Sequence, residues 1–343
     1  MNIERLEERL DQVISPVMHE GTPGMALLIA KDDEVLLRKA YGMADLEAGR
    51  PIRPEDNFVI ASNTKQFTCI AIMMLAEKGL LDYDEPIERF FPDFPPYRKR
   101  VSIRHLMTHV SGIREYFEEG IWETIPQVAA ADTKEMVGLI KGFGDLAFEP
   151  ETQYSYCNSA YVMLGSIVEQ LSGMSFGKFV ETQILDPVGM KQTFVPDYMD
   201  NRPASLIEGY TRQEDGSFQK RDYDMVLVGY ADGNMQSNVD DLYRWHKFLY
   251  MSESEALLPR ARLAQAFCEN RLKDGGRTGY GFGFFLGDYK GHREIWHTGG
   301  TNGFISRCSR FADDGVTLVM LTNYEGLPKD ELYHKIAAEL FGE

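Results

Sequence analysis

The sequence has few cysteines, and none of them are grouped. Cys69, Cys157, Cys268 and Cys308 are widely separated and form no C-x-x-C pair, which argues against a zinc knuckle or a redox motif. Reduced thiols are expected, as in a cytoplasmic protein. The seven histidines are also scattered and form no H-E-x-x-H motif. The sequence therefore predicts neither a metal site nor another cofactor.

Long apolar runs are also missing. The segment Cys69–Ala76 is among the most apolar, yet it is far shorter than the roughly 20 residues of a membrane-spanning helix. Residues 1–17 are charged and amphipathic, which is unlike a signal peptide. We therefore expect no membrane span and a cytoplasmic protein. A mature exported form, with its signal removed, stays open.

Basic residues are outnumbered by acidic ones. The chain has 36 Lys and Arg against 53 Asp and Glu, giving a formal net charge of −17. Because such a surface repels phosphate backbones and anionic lipids, nucleic acid and membrane surfaces are disfavoured as partners. Hydrophobic residues make up 43% of the 343 residues, enough for one large or two intergrown domains.

Strand patterns lie at both ends of the chain, and helical patterns lie in the middle. Two strands joined by a turn at residues 31–33 follow an N-terminal amphipathic helix. Residues 62–79 predict a long helix that ends at Gly79. Strand patterns return from about residue 278, and the first run begins at Tyr280. We predict an α+β fold with a sheet domain at residues 1–60 and 236–343 and a helical domain at residues 61–235.

The S-x-x-K pattern places a serine hydroxyl and a lysine amine one helical turn apart, on one face. A desolvated lysine in that position can serve as a base for the serine. The pattern occurs three times, at Ser62–Lys65, Ser175–Lys178 and Ser217–Lys220. Only the first opens a long apolar helix, although an N-cap role for Ser62 is the competing interpretation.

The other two matches have simpler explanations. Ser217 lies in a polar turn, and Ser175 follows Gly173 where one helix ends and the next begins, which favours an N-cap. Residues 173–177 also fit the G-x-S-x-G nucleophile elbow. That motif needs a preceding strand, whereas the pattern here predicts a helix, so we reject it.

Two further segments could contribute chemistry. Tyr156 and Asn158 precede a strong helical pattern, and a tyrosine beside a lysine can relay a proton or ionise. Packing of the ring, with Asn158 as a cap, is the alternative. The segment His297–Gly300 follows a strand pattern and would let a substrate approach the strand edge, where backbone N–H groups can face an oxyanion. A hairpin turn is the alternative there.

Together, in this order, the three segments resemble the serine β-lactamase and penicillin-binding-protein superfamily. The motifs S-x-x-K, Y-x-N and K/H-T-G of that superfamily match Ser62–Lys65, Tyr156–Asn158 and His297–Gly299. The resemblance is to the class C-like branch, with its D-alanyl-D-alanine carboxypeptidases, D-aminopeptidases and family VIII-type esterases, and it spans essentially the whole chain. It implies a β-lactamase/transpeptidase-like fold with an antiparallel sheet, and a small-molecule or short-peptide substrate.

The resemblance also implies roles for individual residues. Ser62 would be the nucleophile, and Lys65 and Tyr156 would share the work of base and proton shuttle. Asn158 would hold the substrate amide or help to place Lys65. The N–H groups of Ser62 and Gly300 would form the oxyanion hole. The segment His297, Thr298 and Gly299 would contact the substrate.

One position departs from the β-lactamase pattern. Many β-lactamases carry lysine where this chain has His297, and histidine is only partly charged at neutral pH. We therefore expect a peptidase or esterase that penicillins acylate, with specificity set by loops near residues 112–150 and 195–235. The alternatives are a true class C-like β-lactamase, a non-catalytic penicillin-binding module, and a Ser–His mechanism with His297 as the base.

Overall fold

A computed structural model describes residues 3–117, 132–196, 206–221 and 230–342. The α-helices in these ranges are α1 (Ile3–Ile14), α2 (Thr64–Glu77), α3 (Ile103–Met107), α4 (Thr133–Gly142), α5 (Asn158–Ser172), α6 (Phe176–Val180), α7 (Asp186–Val188), α8 (Tyr230–Gly233), α9 (Val239–Tyr250), α10 (Arg260–Leu263) and α11 (Lys329–Phe341). A π-helical turn, Glu181–Leu185, joins α6 to α7, and short 3₁₀ helices span Ala61–Asn63, Ile87–Arg89, Pro96–Lys99 and Ala264–Phe267.

The strands are β1 (Met25–Lys31), β2 (Glu34–Tyr41), β3 (Met43–Asp45), β4 (Arg50–Pro51), β5 (Phe58–Val59), β6 (Tyr210–Arg212), β7 (Phe218–Lys220), β8 (Gln236–Ser237), β9 (Phe285–Tyr289), β10 (His292–Thr301), β11 (Phe304–Phe311) and β12 (Val316–Thr322). Six of them form the main sheet, in the order β2-β1-β12-β11-β10-β9. Every pair in it is antiparallel, which confirms the predicted α+β class with an antiparallel sheet.

The two ends of the chain meet inside this sheet. Strand β1 pairs with β12, with Met25 opposite Thr322 and Lys31 opposite Val316. Alternate residues of β1 point to opposite faces. Met25, Leu27 and Ile29 pack with the terminal helices α1 and α11, whereas Ala26 and Leu28 join the larger cluster on the other face.

The larger hydrophobic cluster lies between the sheet and the central helices. Helices α2 and α5 are buried along most of their length, and α9 packs against β1 and β12. One continuous apolar cluster includes side chains from the sheet and from these helices. The division into domains at residues 60 and 236 therefore stays a prediction. Among the described residues, no helix is both long and apolar enough to cross a bilayer.

The strand pattern that begins at Tyr280 starts later in the structure than the sequence suggests. Strand β9 begins at Phe285, because Gly283 has a positive φ of 82° and packs against the backbone of α2. A Cβ at Gly283 would lie 2.7 Å from the carbonyl oxygen of Lys65. Tyr280 is thereby free to turn toward the segment around His297 instead of continuing the sheet.

The specificity loops predicted near residues 112–150 and 195–235 fall partly outside the described residues, at 118–131, 197–205 and 222–229. The described parts include α4 and the β6–β7 hairpin. Helix α4 packs on α5, and the hairpin lines a cavity together with Gly300.

Candidate active site

Ser62 lies at the entrance to α2, in a short 3₁₀ turn. The preceding Ala61 has a positive φ of 46°, which is an uncommon backbone conformation for a residue with a side chain. The Ser62 side chain does not cap either helix, so the competing N-cap interpretation is not what the structure shows. Ser62 is half-buried, whereas its neighbours Ala61 and Asn63 are fully buried.

Lys65 is the residue that makes this serine unusual. Its side chain is fully buried, and its Nζ donates to the side-chain Oδ1 of Asn158 at 2.7 Å and to the backbone oxygen of Asp232 at 2.6 Å. Ser62 Oγ is 3.2 Å from the same nitrogen. Burial lowers the pKa of Lys65 to about 8, although the charges of Asp232 and Glu115 oppose this shift.

These contacts allow Lys65 to act as a base once it has lost a proton. Two of its three partners are carbonyl oxygens, which can only accept hydrogen bonds. A neutral amine has two N–H groups for those two oxygens, and its lone pair then faces the Ser62 hydroxyl. The arrangement can therefore accept the Ser62 proton.

Tyr156 lies close to both Lys65 and Ser62. The Lys65 nitrogen is 4.9 Å from the centre of its ring, and its hydroxyl is buried without a hydrogen bond of normal geometry to the described residues. Burial raises the pKa of Tyr156 well above its usual range, and the nearby Ser62 hydroxyl offsets only part of that shift. Tyr156 is thus a neutral phenol at neutral pH.

Two acidic residues near Lys65 were not identified from the sequence. Glu115 accepts hydrogen bonds from the backbone and side-chain nitrogens of Asn158, which fixes the amide with its oxygen toward Lys65. Asp232 is buried and accepts a hydrogen bond from the Tyr116 hydroxyl at 2.7 Å. Burial raises the pKa values of both Glu115 and Asp232.

His297 has a different environment from the one its motif suggests. It is 1% exposed, its Nε2 is 3.0 Å from the Tyr280 hydroxyl, and its Nδ1 is 2.6 Å from the Thr298 carbonyl oxygen. Burial lowers the pKa of His297 to about 3. Because both ring nitrogens already have hydrogen-bond partners, this geometry does not favour a direct contact of His297 with substrate. That contact stays a prediction.

The rest of that motif lies directly against the nucleophile. Strand β10 runs past the backbone of Ile60 and Ala61, and a Cβ at Gly299 would lie 2.2 Å from the Ile60 carbonyl oxygen. Only glycine allows this approach. Gly300, the next residue, is exposed, and Thr298 is half-buried. The strand edge at Gly300 therefore faces open space, since a Cβ there would meet no atom within 4 Å.

A buried polar network lies behind Ser62 and was missed in the sequence. Asn63 donates to Ser306 Oγ at 2.8 Å, and Ser306 donates to the Ile60 carbonyl oxygen at 2.6 Å. Gln66 donates to Asn63 at 2.9 Å and accepts from the Trp245 indole at 2.9 Å. This network links α2, β11 and α9. The polar side chains Asn63 and Gln66, which precede the apolar part of α2, are the sequence signal that could have revealed it.

The other serines of the S-x-x-K pattern have structural roles. Ser175 caps α6 by accepting a hydrogen bond from the Lys178 backbone nitrogen. Ser217 donates to Asp215 in the exposed β6–β7 turn, where Lys220 pairs with Asp45. Helix α5 precedes residues 173–177, so the rejection of a nucleophile elbow there is confirmed.

Comparison with known proteins identifies the class to which this fold and site belong. The sequence model of the Beta-lactamase family matches residues 10–343. A penicillin-binding protein of Bacillus subtilis is 32% identical over 335 residues, which cover 92% of this chain and 72% of that protein. The chain therefore belongs to the Beta-lactamase family and has the fold of that family.

Other relatives are named D-aminopeptidase. The one from Brucella anthropi is 28% identical over 316 residues, covering 91% of this chain but 58% of the relative. The one from Gluconobacter oxydans is 27% identical, and 59% of it is covered. This chain thus spans somewhat under two thirds of the length of these D-aminopeptidases.

Solved structures share the whole architecture. An octameric penicillin-binding protein homologue from Pyrococcus abyssi superimposes with a TM-score of 0.84 at 24% identity, covering 100% of this chain and 78% of that one. The D-amino acid amidase of Ochrobactrum anthropi SV3 superimposes with a TM-score of 0.81 at 22% identity, covering 98% and 99% of the two chains. At this level of identity the similarity establishes the fold.

Proposed function

We propose that Ser62 of this hydrolase attacks an amide or ester carbonyl and carries the acyl group until water releases it. The observation that supports this most strongly is the buried Lys65 amine, which lies 3.2 Å from Ser62 Oγ with two carbonyl oxygens as its other partners. A serine hydroxyl becomes a useful nucleophile when an adjacent base can take its proton.

In the first half of the reaction, Lys65 accepts the Ser62 proton while Oγ bonds to the carbonyl carbon. The N–H groups of Ser62 and Gly300 would stabilise the oxyanion. When the tetrahedral intermediate collapses, the bond to the leaving group breaks, and Tyr156 delivers a proton to that group and is reprotonated from Lys65. The acyl group is then bonded to Ser62 Oγ.

In the second half, water attacks the acyl carbonyl and gives its proton to the same pair. The bond to Ser62 Oγ breaks, and the serine hydroxyl is restored. Lys65 is the better candidate for the base, since its pKa of about 8 lies close to neutral pH, as efficient general-base catalysis requires. The neutral phenol of Tyr156 suits a proton shuttle instead.

We infer that the substrate is a D-amino-acid peptide or amide, or a small ester, rather than a β-lactam antibiotic. A buried His297 with a pKa of about 3 cannot supply the fixed positive charge that a lysine offers to a β-lactam carboxylate. The relatives named D-aminopeptidase support the amide substrate. β-Lactams stay possible ligands that acylate Ser62 slowly.

Steady-state kinetics test this function. The purified chain would be assayed with D-alanine amide, L-alanine amide, 4-nitrophenyl butyrate and nitrocefin, alongside the Ser62→Ala variant. We expect kcat/KM for the D-amide or the ester to exceed that for nitrocefin, and every activity to disappear in Ser62→Ala. Faster turnover of nitrocefin would favour the β-lactamase alternative. Absence of turnover with all four would favour the non-catalytic alternative.

A further inference from the structure

A cavity of about 760 Å³ opens next to Gly300, at the edge of β10. Its described walls come from β10, from the β6–β7 hairpin and from the segment that follows β12. The lining residues that matter here are Gly300, Thr211, Arg212, Arg221 and Glu325. Because Gly300 is the proposed oxyanion donor, a substituent of a bound substrate can reach this cavity directly from the reacting carbonyl.

Among the described lining residues, three side chains are charged, and two of them neutralise each other. Arg221 forms a bidentate ion pair with Glu325. Glu325 also accepts a hydrogen bond from the Gly303 backbone nitrogen at 2.7 Å. The Arg221–Glu325 pair therefore fixes one wall and leaves no net charge there.

Arg212 is the third charged residue of the described cavity wall. Its Nε donates to the Gly216 carbonyl oxygen at 3.4 Å across the hairpin turn, and no carboxylate within the described ranges forms an ion pair with it. The guanidinium is thus oriented by the hairpin at one side of the cavity. Its terminal N–H groups can donate to a ligand.

We propose that this cavity binds a carboxylate carried by the substrate, and that Arg212 recognises it; the proposal rests on the hydrolase function inferred above. A guanidinium matches a carboxylate with two parallel hydrogen bonds. The chain as a whole carries a formal charge of −17 and repels anions. A local cation at the cavity wall, with no ion pair to a carboxylate of the described residues, offsets that repulsion where the substrate binds. The exposed ring of Phe117, at the same cavity, provides an apolar surface for the carbon chain that bears the carboxylate.

Matched substrate pairs test the proposal. For the acyl side, the pair is the 4-nitrophenyl ester of succinate and that of monomethyl succinate, which differ by one negative charge. For the leaving-group side, the pair is D-alanyl-D-alanine and its C-terminal amide. Each is assayed with wild type, Arg212→Lys, Arg212→Glu and the control Arg53→Glu, which makes the same change at an exposed arginine outside the cavity.

We expect Arg212→Glu to lower kcat/KM about tenfold or more for the anionic member of at least one pair, mainly through KM, because the variant repels the carboxylate. A tenfold loss corresponds to about 1.4 kcal/mol. Neutral members should change less than about twofold, and Arg212→Lys should keep part of the preference. The preference should also weaken as salt is raised. Equal effects on anionic and neutral members, or the same loss in Arg53→Glu, would overturn the proposal. Failure of the hydrolase function itself would look different, since wild type would then turn over neither member of either pair.

Discussion

The Lys65 amine is the residue-scale feature on which the proposed chemistry depends. Two opposing effects set its pKa: burial favours the neutral form, and the nearby carboxylates Asp232 and Glu115 favour the charged form. The balance places the pKa at about 8, close enough to neutral pH for the amine to alternate between base and acid. Small changes in either effect should therefore be visible in the pH dependence of acylation.

Replacement of Asp232 by asparagine tests that balance. Removing a negative charge disfavours protonated Lys65, so its pKa falls and the neutral amine persists to lower pH. We expect the acid limb of the kcat/KM profile to move to lower pH in Asp232→Asn. The control Asp240→Asn removes a surface carboxylate that pairs with Arg38 and should leave the limb in place. An unchanged limb in Asp232→Asn, or one moved to higher pH, would contradict this account. The limb belongs to the coupled Lys65–Tyr156 pair rather than to one group.

His297 provides a second test at the scale of single residues. If it served as the base for Ser62, its loss would abolish acylation. The structure instead directs its Nε2 toward Tyr280, so we expect His297→Ala to keep labelling of Ser62 by a fluorophosphonate within about tenfold of wild type, as for a residue that only positions others. The rate of labelling, followed in time on a gel, measures this. Complete loss of labelling in a folded variant would revive the Ser–His mechanism.

At the scale of elements, the close contact between β10 and the turn before α2 sets the geometry of the site. Gly299→Ala would force a Cβ into the Ile60 carbonyl oxygen, 2.2 Å away, whereas a Cβ at Gly300 meets no atom within 4 Å. We expect Gly299→Ala to lower the free energy of unfolding by about 1–3 kcal/mol, as overpacking does. Denaturant titration would show the loss, with Gly300→Ala as the matched control. Equal stability of the two variants would contradict the tight contact.

The sequence predicted the elements around Ser62 because their signals are local. The apolar run after Ser62 and the helix that begins at Asn158 are periodic, and both appear in the structure. The positions of Asp232 and Glu115 could not be predicted. Both are far from Ser62 in sequence and belong to no recognisable motif. Only the packing of α5, α8 and the segment before Phe117 brings them to Lys65. The orientation of His297 depends likewise on its contact with Tyr280. The chain between Tyr280 and Phe285 bends at Gly283 and does not form the predicted strand.

At the scale of the whole molecule, the site depends on a sheet whose strands come from both ends of the chain. Helix α1 covers the sheet face opposite to α2, with Leu6, Leu10 and Ile14 in the smaller hydrophobic cluster. Helix α1 therefore stabilises the sheet from the face opposite to the one that carries the site. Stability and chemistry should be separable in this part of the molecule.

Leu10→Ala tests that separation. Leu10 is 0% exposed, and deletion of such a side chain costs about 2–5 kcal/mol of folding free energy. We expect a lower unfolding midpoint in urea, with kcat/KM of the folded variant within about twofold of wild type. Val17, 43% exposed near the end of the same segment, gives the control Val17→Ala. A large loss of activity in folded Leu10→Ala would show that α1 is coupled to the site.

The most direct test of the central claim is to map the acylated residue. The protein would be incubated with a fluorescent penicillin and, separately, with a fluorophosphonate, then digested and analysed by mass spectrometry. The account predicts an adduct on Ser62 in wild type and in Lys178→Ala, and none in Lys65→Ala, because that variant lacks the amine that takes the serine proton. An adduct on Ser175 or Ser217, no adduct on Ser62 with either reagent, or labelling of Lys65→Ala at a rate within a few-fold of wild type would contradict it.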